Sequence, residues 1–391
     1  MNAPDTLGPQ LDRARRIALL LGAVALALCA AGGFRDPTQF FRSYLFAYLF
    51  WSGIALGCVA IVMMHHLVGG EWGYIIRRVL ESGSRTFLLL ALLFVPLLFG
   101  LSRLYLWAQP AAVAADPLLQ HKHPYLNPRF FTLRAVVYFA AWIALGYLLN
   151  KWSLEQDRTA NPAIARRLEA LSGPGLIVYG ITVTFASVDW VMSLEPHWFS
   201  TIYGMIFMMV EALSAMAFVI VVVMMLARAE PLADQVTPGR FLDLGNLLLT
   251  FVMLWAYLSF SQFLIIWAGN LQEEIPWYTV RATGGWAWLA VILIVLHFGV
   301  PFLLLLQRVV KRRVRMLAAL AAGLLFMTLV DLFWLVVPAF ERAGPHVHWM
   351  DVLAPIGIGG LWVAAFLTQL KGKPLLPLHD PQMEGAIAHG D

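Results

Sequence analysis

The sequence predicts an all-α, polytopic membrane protein with ten transmembrane helices. Three observations carry that prediction. Of the 391 residues 60% are hydrophobic and only 13% charged, more apolar than a soluble core of this length requires. The apolar residues gather into ten runs, near 17–34, 44–67, 86–108, 130–150, 174–193, 200–227, 241–268, 285–307, 315–338 and 349–369. Each approaches or exceeds the roughly 20 residues that cross a hydrocarbon layer of about 30 Å. The alternation of apolar and polar residues that marks a membrane barrel is nowhere sustained, so the spans are helices.

The first run follows Arg13, Arg15 and Arg16 and ends on Ala30, Ala31 and Gly32, a pattern shared with signal peptides. Its length, and Leu28 before Cys29 where a lipoprotein cleavage box needs another residue, favour retention as helix 1. Most of the 27 lysines and arginines fall at the termini and in the even-numbered loops, including Lys151, Arg166, Arg167 and the cluster Arg308, Lys311, Arg312, Arg313 and Arg315. Basic residues favour cytoplasmic loops. Both termini are therefore expected in the cytoplasm, of a bacterial inner membrane, and the net charge of +4 follows from topology rather than from a nucleic-acid surface. Cys29 and Cys58 lie inside apolar runs and form no C-x-x-C or haem-attachment pattern, so no covalent haem or iron–sulfur cluster is expected on this chain alone.

An internal repeat organises the middle of the chain. "DPTQFFRSY" (Asp36 to Tyr44) matches "EPHWFSTIY" (Glu195 to Tyr203), "LYLWA" ending at Ala108 matches "LIIWA" ending at Ala268, and Pro124-Tyr125 with Arg129 matches Pro276-Trp277 with Arg281. Helices 2–5 then correspond to helices 6–9. An offset of four helices preserves orientation, giving a parallel repeat with its axis along the membrane normal. The expected organisation is a cytoplasmic tail over 1–16, peripheral helix 1 over 17–34, a first four-helix bundle over 35–193, a second over 194–338, peripheral helix 10 over 339–370 and a cytoplasmic tail over 371–391. Asp36 and Glu195, each followed by proline, read as helix-start residues. Trp190, Trp198 and Tyr203 read as an interfacial aromatic belt.

Ionisable residues inside a span are costly and point to function. Arg103, Arg134, Asp189, Gln262 and Asp331 fall in the outer third, as an ion network or as a polar wall around a quinol head group or proton exit, with Asp189 and Asp331 also candidate proton carriers. Glu211 and His297 lie near the midplane, where a carboxylate and an imidazole suit proton relay and a buried hydrogen-bonded pair is the structural alternative. His65 and His66 end helix 2 on the cytoplasmic side, as proton-entry or interfacial residues; their depth does not match His297 as a haem b pair. The outer "HKH" (His121, His123) and "HVH" (His346, His348) lack cysteine or carboxylate partners and read as solvated loops rather than metal sites.

Three stretches carry a resemblance: "FASVDWVMSLEPHWFSTIYG", "LGNLLLTFVMLWAYLSFSQFLIIWAGNLQEEIPWY" and "HFGVPFLLLL". They resemble the NrfD/PsrC-like membrane subunits, and among these the ActF subunit of alternative complex III, the quinone-binding subunit 2 of quinol:cytochrome c oxidoreductase. The likeness is stronger over helices 5–9 than over the first bundle. It implies a respiratory subunit paired with a homologous NrfD-like membrane subunit, with electrons from quinol passing through an iron–sulfur subunit and multihaem and monohaem cytochrome c subunits. Iron–sulfur clusters and haem c would sit on those partners, with quinol the one ligand implied for the membrane subunits. No family ligand set maps onto individual residues here. A proton-coupled secondary transporter, which parallel repeats and buried acids also suit, and a purely structural anchor remain the competing readings.

Overall fold

The computed structural model describes residues 7–378, and every regular element among them is helical. Among the described residues ten helices are long and apolar enough to cross a membrane: α1 (Leu7–Gly33), α2 (Pro37–Val68), α3 (Arg77–Phe99), α4 (Pro128–Thr159), α5 (Pro162–Leu194), α6 (Tyr203–Leu226), α7 (Pro238–Gly269), α8 (Gly284–Leu306), α9 (Val314–Ala339) and α10 (Trp349–Leu370). The chain is a multi-pass membrane protein.

Local chemistry sets several of the starts. Asp36, Asn127, Asn161 and Thr237 each cap a helix with a side-chain oxygen and are followed by proline at the first helical position. The cap satisfies an amide that has no partner within the helix, and proline offers none there to satisfy. His348 performs the same service for α10, its Nδ1 accepting from the Met350 amide while Asp351 accepts from the His348 amide. Asp36 is thus a helix-start residue as expected. Glu195 is not: after Pro196 the chain turns through residues 197–202 and α6 begins only at Tyr203.

Helices α2 and α6 form the buried centre and pack against each other. A Cβ on Gly57 would lie 2.0 Å from the Glu211 carbonyl oxygen, so the crossing depends on that glycine. Around the centre, α2 packs on α3 and α5, and α6 packs on α7 and α9; α4 lies against α3 and α5, and α8 against α7 and α9. Contacts α2–α9 and α5–α6 close the ring. Helix α1 runs along α10, where Gly22 meets the backbone of Gly357 and Leu361, and Gly360 meets that of Ala18 and Gly22.

Two boundaries differ from the sequence reading. Helix α1 starts at Leu7, taking its basic turn into the helix. Helix α3 starts at Arg77 and bends near Arg85, so Arg77, Arg78 and Glu81 lie in a helix rather than a loop. Their charges hid the helix in the apolar count, but inside the protein Glu81 and Asp157 neutralise the two arginines. The tail segments 1–6 and 379–391 lie outside the described residues.

Candidate functional site

Glu211 on α6 is a carboxyl buried at the centre, 5% exposed. Tyr179 on α5 donates its hydroxyl to Glu211 Oε2 at 2.6 Å. The carboxyl borders an enclosed cavity of about 20 Å³ where α2, α5, α6 and α9 meet, with Ser52, Ser187, Ser214 and Thr328 on its walls. That volume holds one water molecule. Gly53 on α2 leaves room for the Glu211 side chain, since a Cβ there would already stand 3.5 Å from its Cγ. Small residues on α2 therefore make both the close crossing and the carboxyl's niche.

His297, fully buried on α8, faces α7 and α9. It lies in a π-helical stretch, Leu293–Gly299, just before Pro301. Proline has no N–H for the carbonyl four residues earlier, which here is that of His297, and π winding, pairing residues five apart, is the local adjustment. His297 Nε2 stands 3.5 Å from Thr328 Oγ1, its ring lies 4.3 Å from that of Trp255, and its Nδ1 has no hydrogen-bond partner. Trp255 donates to Asp331 Oδ2 at 3.1 Å. Glu211 and His297 are thus not a directly bonded pair. Glu211 takes its partner from α5, and Thr328 is the residue common to the Glu211 cavity and the His297 contact.

The outer-third residues separate into distinct sites. Asp189, fully buried, accepts from Arg134 Nε and Nη2, both at 2.8 Å, and from the Tyr138 hydroxyl at 2.8 Å. Arg134 also donates to the Tyr125 carbonyl and lies 3.8 Å from the Tyr125 ring centre. This is an ion pair with its hydrogen bonds filled. Arg281, just before α8, builds a similar arrangement, donating to Glu195 Oε2 at 2.8 Å and lying 3.7 Å from the Trp277 ring centre. Tyr125 and Trp277 are the aromatic residues matched in the repeat, but the arginine over Tyr125 is Arg134, not Arg129. Gln262 links Ser200 and Tyr278. Arg103 stands apart and exposed, on an open cavity of about 250 Å³ that Glu195, His197, Trp277 and Arg342 also line.

His65 is buried, its Nε2 3.1 Å from the Gly70 carbonyl and its ring edge-on to Trp72. His66 is half-buried at the end of α2. Trp190, Trp198 and Tyr203 do not form an interfacial belt: each is buried among other rings, Trp198 stacked on Trp277 at 4.7 Å and Trp190 5.0 Å from Phe94. Composition cannot tell an inward-facing tryptophan at the end of a span from an outward one.

Two charged clusters escaped the sequence reading. On the face of the termini, Glu81 accepts from Arg77 Nε at 3.0 Å, Arg78 NH1 at 2.6 Å and Ser153 Oγ at 2.6 Å, and Arg78 also pairs with Asp157. Residues 371–378 fold back over this cluster: the Leu378 amide donates to Asp157, and Lys373 reaches Asn150 at 3.4 Å. Burial there pushes the Lys373 amine down to about 8. On the opposite face Arg42 pairs with Glu341 at 2.7 Å, and Gln39 and Ser43 donate to Asp351. The Arg–Glu spacing of four in 77–81 was a legible signal of the first cluster; nothing in sequence joins Arg42 to Glu341.

These features define a multi-pass helical membrane protein with a central buried carboxyl beside a water-sized cavity. No protein-family model and no curated protein matches the chain.

Proposed function

We propose that this chain is a membrane subunit of a quinol-oxidising respiratory assembly of the alternative complex III type, and that its own contribution is proton movement through Glu211. The observation that carries the proton reading is the Tyr179–Glu211 pair on its enclosed cavity. An acid in that position has a bonded hydroxyl, room for one water and further serine and threonine hydroxyls on the cavity wall as exchange partners, a setting for proton transfer rather than solute binding. The respiratory setting is supported by the motif resemblance over helices 5–9. Iron–sulfur and multihaem and monohaem cytochrome c subunits would carry the electrons, beside a homologous NrfD-like partner.

The finer architecture belongs to the same proposal. Helices α2–α5 and α6–α9 are two parallel four-helix repeats, with α1 and α10 outside them. Support comes from paired contacts: α2–α3 with α6–α7, α2–α5 with α6–α9, α3–α4 with α7–α8 and α4–α5 with α8–α9. The termini face the cytoplasm, and the cavity beside Arg103 opens on the other side, where a quinol head group or a docked partner would approach. A secondary transporter would need a central site of solute size, and the cavity at Glu211 is about 20 Å³.

The test has two arms. Purification from native membranes should bring down an iron–sulfur protein and c-type cytochromes; a chain that remains alone under conditions that keep other respiratory complexes whole would end the respiratory reading. In the intact assembly, Glu211→Gln should cut proton movement by about a hundredfold or more, the lower range for loss of a proton-transfer group. Unchanged proton movement with normal assembly would end the proton reading.

A further inference from the structure

We infer that the proton relay is wired on one side of the repeat only, with Thr328 as the hydroxyl that passes the proton between the Glu211 cavity and His297. The inference rests on the proton reading above and names its route.

The two halves place a threonine at a matching position, and each threonine meets a ring nitrogen from the neighbouring helix. In the first half, Trp142 on α4 donates its Nε1–H to Thr182 Oγ1 on α5 at 2.9 Å, while Thr182 donates to the Val178 carbonyl at 2.7 Å. In the second half, His297 Nε2 on α8 lies 3.5 Å from Thr328 Oγ1 on α9, while Thr328 donates to the Leu324 carbonyl at 2.9 Å. The geometry is parallel and the chemistry is not. Indole is a donor only, so the Trp142–Thr182 contact holds one fixed direction; imidazole accepts or donates according to its protonation. Only the second contact can carry a proton.

Position reinforces the difference. Thr328 lines the cavity that Glu211 borders, and Thr182 is not among the residues of that wall. The transfer balances as three concerted moves through one cavity water. The Glu211 carboxyl gives its proton to the water, the water gives one to Thr328 Oγ1, and the Thr328 hydroxyl, rotated from the Leu324 carbonyl, gives its own to His297 Nε2. The products are a carboxylate, an imidazolium and an unchanged water and threonine. The reverse sequence reloads Glu211. The transfer requires the hydroxyl to rotate from the carbonyl one turn back on the same helix and the 3.5 Å gap to His297 Nε2 to shorten. His297 Nδ1, buried and without a hydrogen-bond partner, carries the ring's proton while Nε2 accepts.

The test is hydrogen–deuterium exchange of the Glu211 carboxyl, followed by infrared spectroscopy on the protein as purified with whatever subunits accompany it. The band is identified by its loss in Glu211→Gln. Thr328→Val, close in shape but without the hydroxyl, should slow exchange by about a hundredfold or more. Thr328→Ser should restore the rate, and Thr182→Val should leave it at the wild-type value. Restoration by serine excludes a packing effect. Exchange in Thr328→Val at the wild-type rate, or equal slowing in Thr182→Val, would overturn the one-sided route. These results are separable from the function itself: proton movement that stops in Glu211→Gln while Thr328→Val exchanges normally removes the route and keeps the reading, whereas slow exchange in Thr328→Val beside unchanged proton movement in Glu211→Gln removes the reading.

Discussion

At the residue scale, the ionisable groups that the sequence placed together within the spans have two different jobs. Asp189 and Arg134 neutralise each other with both guanidinium bonds and a tyrosine hydroxyl in place, whereas Glu211 has one neutral partner and an open niche. A saturated pair holds structure; an acid with a single neutral donor can change protonation without stranding an opposite charge. Position along the chain placed these three within spans but did not show which partner each would take, because partners come from other helices; Arg103, placed with them, is exposed. Asp189→Asn tests the structural half. It leaves Arg134 buried without its counter-charge and should lower stability by about 3 kcal/mol, read as a shift in unfolding by denaturing detergent. The double variant Arg134→Met, Asp189→Leu should recover most of that loss, because an apolar pair of similar volume strands no charge.

At the element scale, the helices themselves were legible because the signals are local. Cap–proline dipeptides mark the starts of α2, α4, α5 and α7, and apolar length marks the spans. The failures came where tertiary neutralisation replaced apolarity, as in Arg77–Glu81 at the start of α3. The α1–α10 contact shows a further kind of information, carried by what glycine lacks. A Cβ at Gly360 would stand 2.4 Å from the Ala18 carbonyl oxygen and 2.5 Å from Gly22 Cα, backbone atoms that cannot step aside. Gly360→Val should therefore push α1 away from α10 and cost about 2 kcal/mol, within the range for overpacking. Gly323→Val on α9, with nothing within 4 Å of a Cβ, should cost much less. Equal unfolding midpoints for the two variants would refute the close crossing of α1 on α10.

At the scale of the whole molecule, the charge asymmetry and the repeat make one connected claim. If α2–α5 and α6–α9 are parallel repeats, equivalent loops must lie on the same side of the membrane, and the basic loops fix which side that is. The 307–313 loop, with Arg308, Lys311, Arg312 and Arg313, should then face the cytoplasm, and the 270–274 loop, with Glu273 and Glu274, the opposite side. Cysteine substitution can test this cleanly because the native Cys29 and Cys58 are both buried. Glu273→Cys should react with a membrane-impermeant thiol reagent once the outer face of the cytoplasmic membrane is exposed, and Arg313→Cys only after that membrane is permeabilised. The repeat adds a second pair: Gln120→Cys, in the outer loop of the first half, should behave like Glu273→Cys, and Glu155→Cys, near the end of α4, like Arg313→Cys. The opposite labelling of all four would reverse the orientation and keep the repeat. Gln120 and Glu273 labelling from different sides would break the repeat itself, because no parallel arrangement puts equivalent loops on opposite faces.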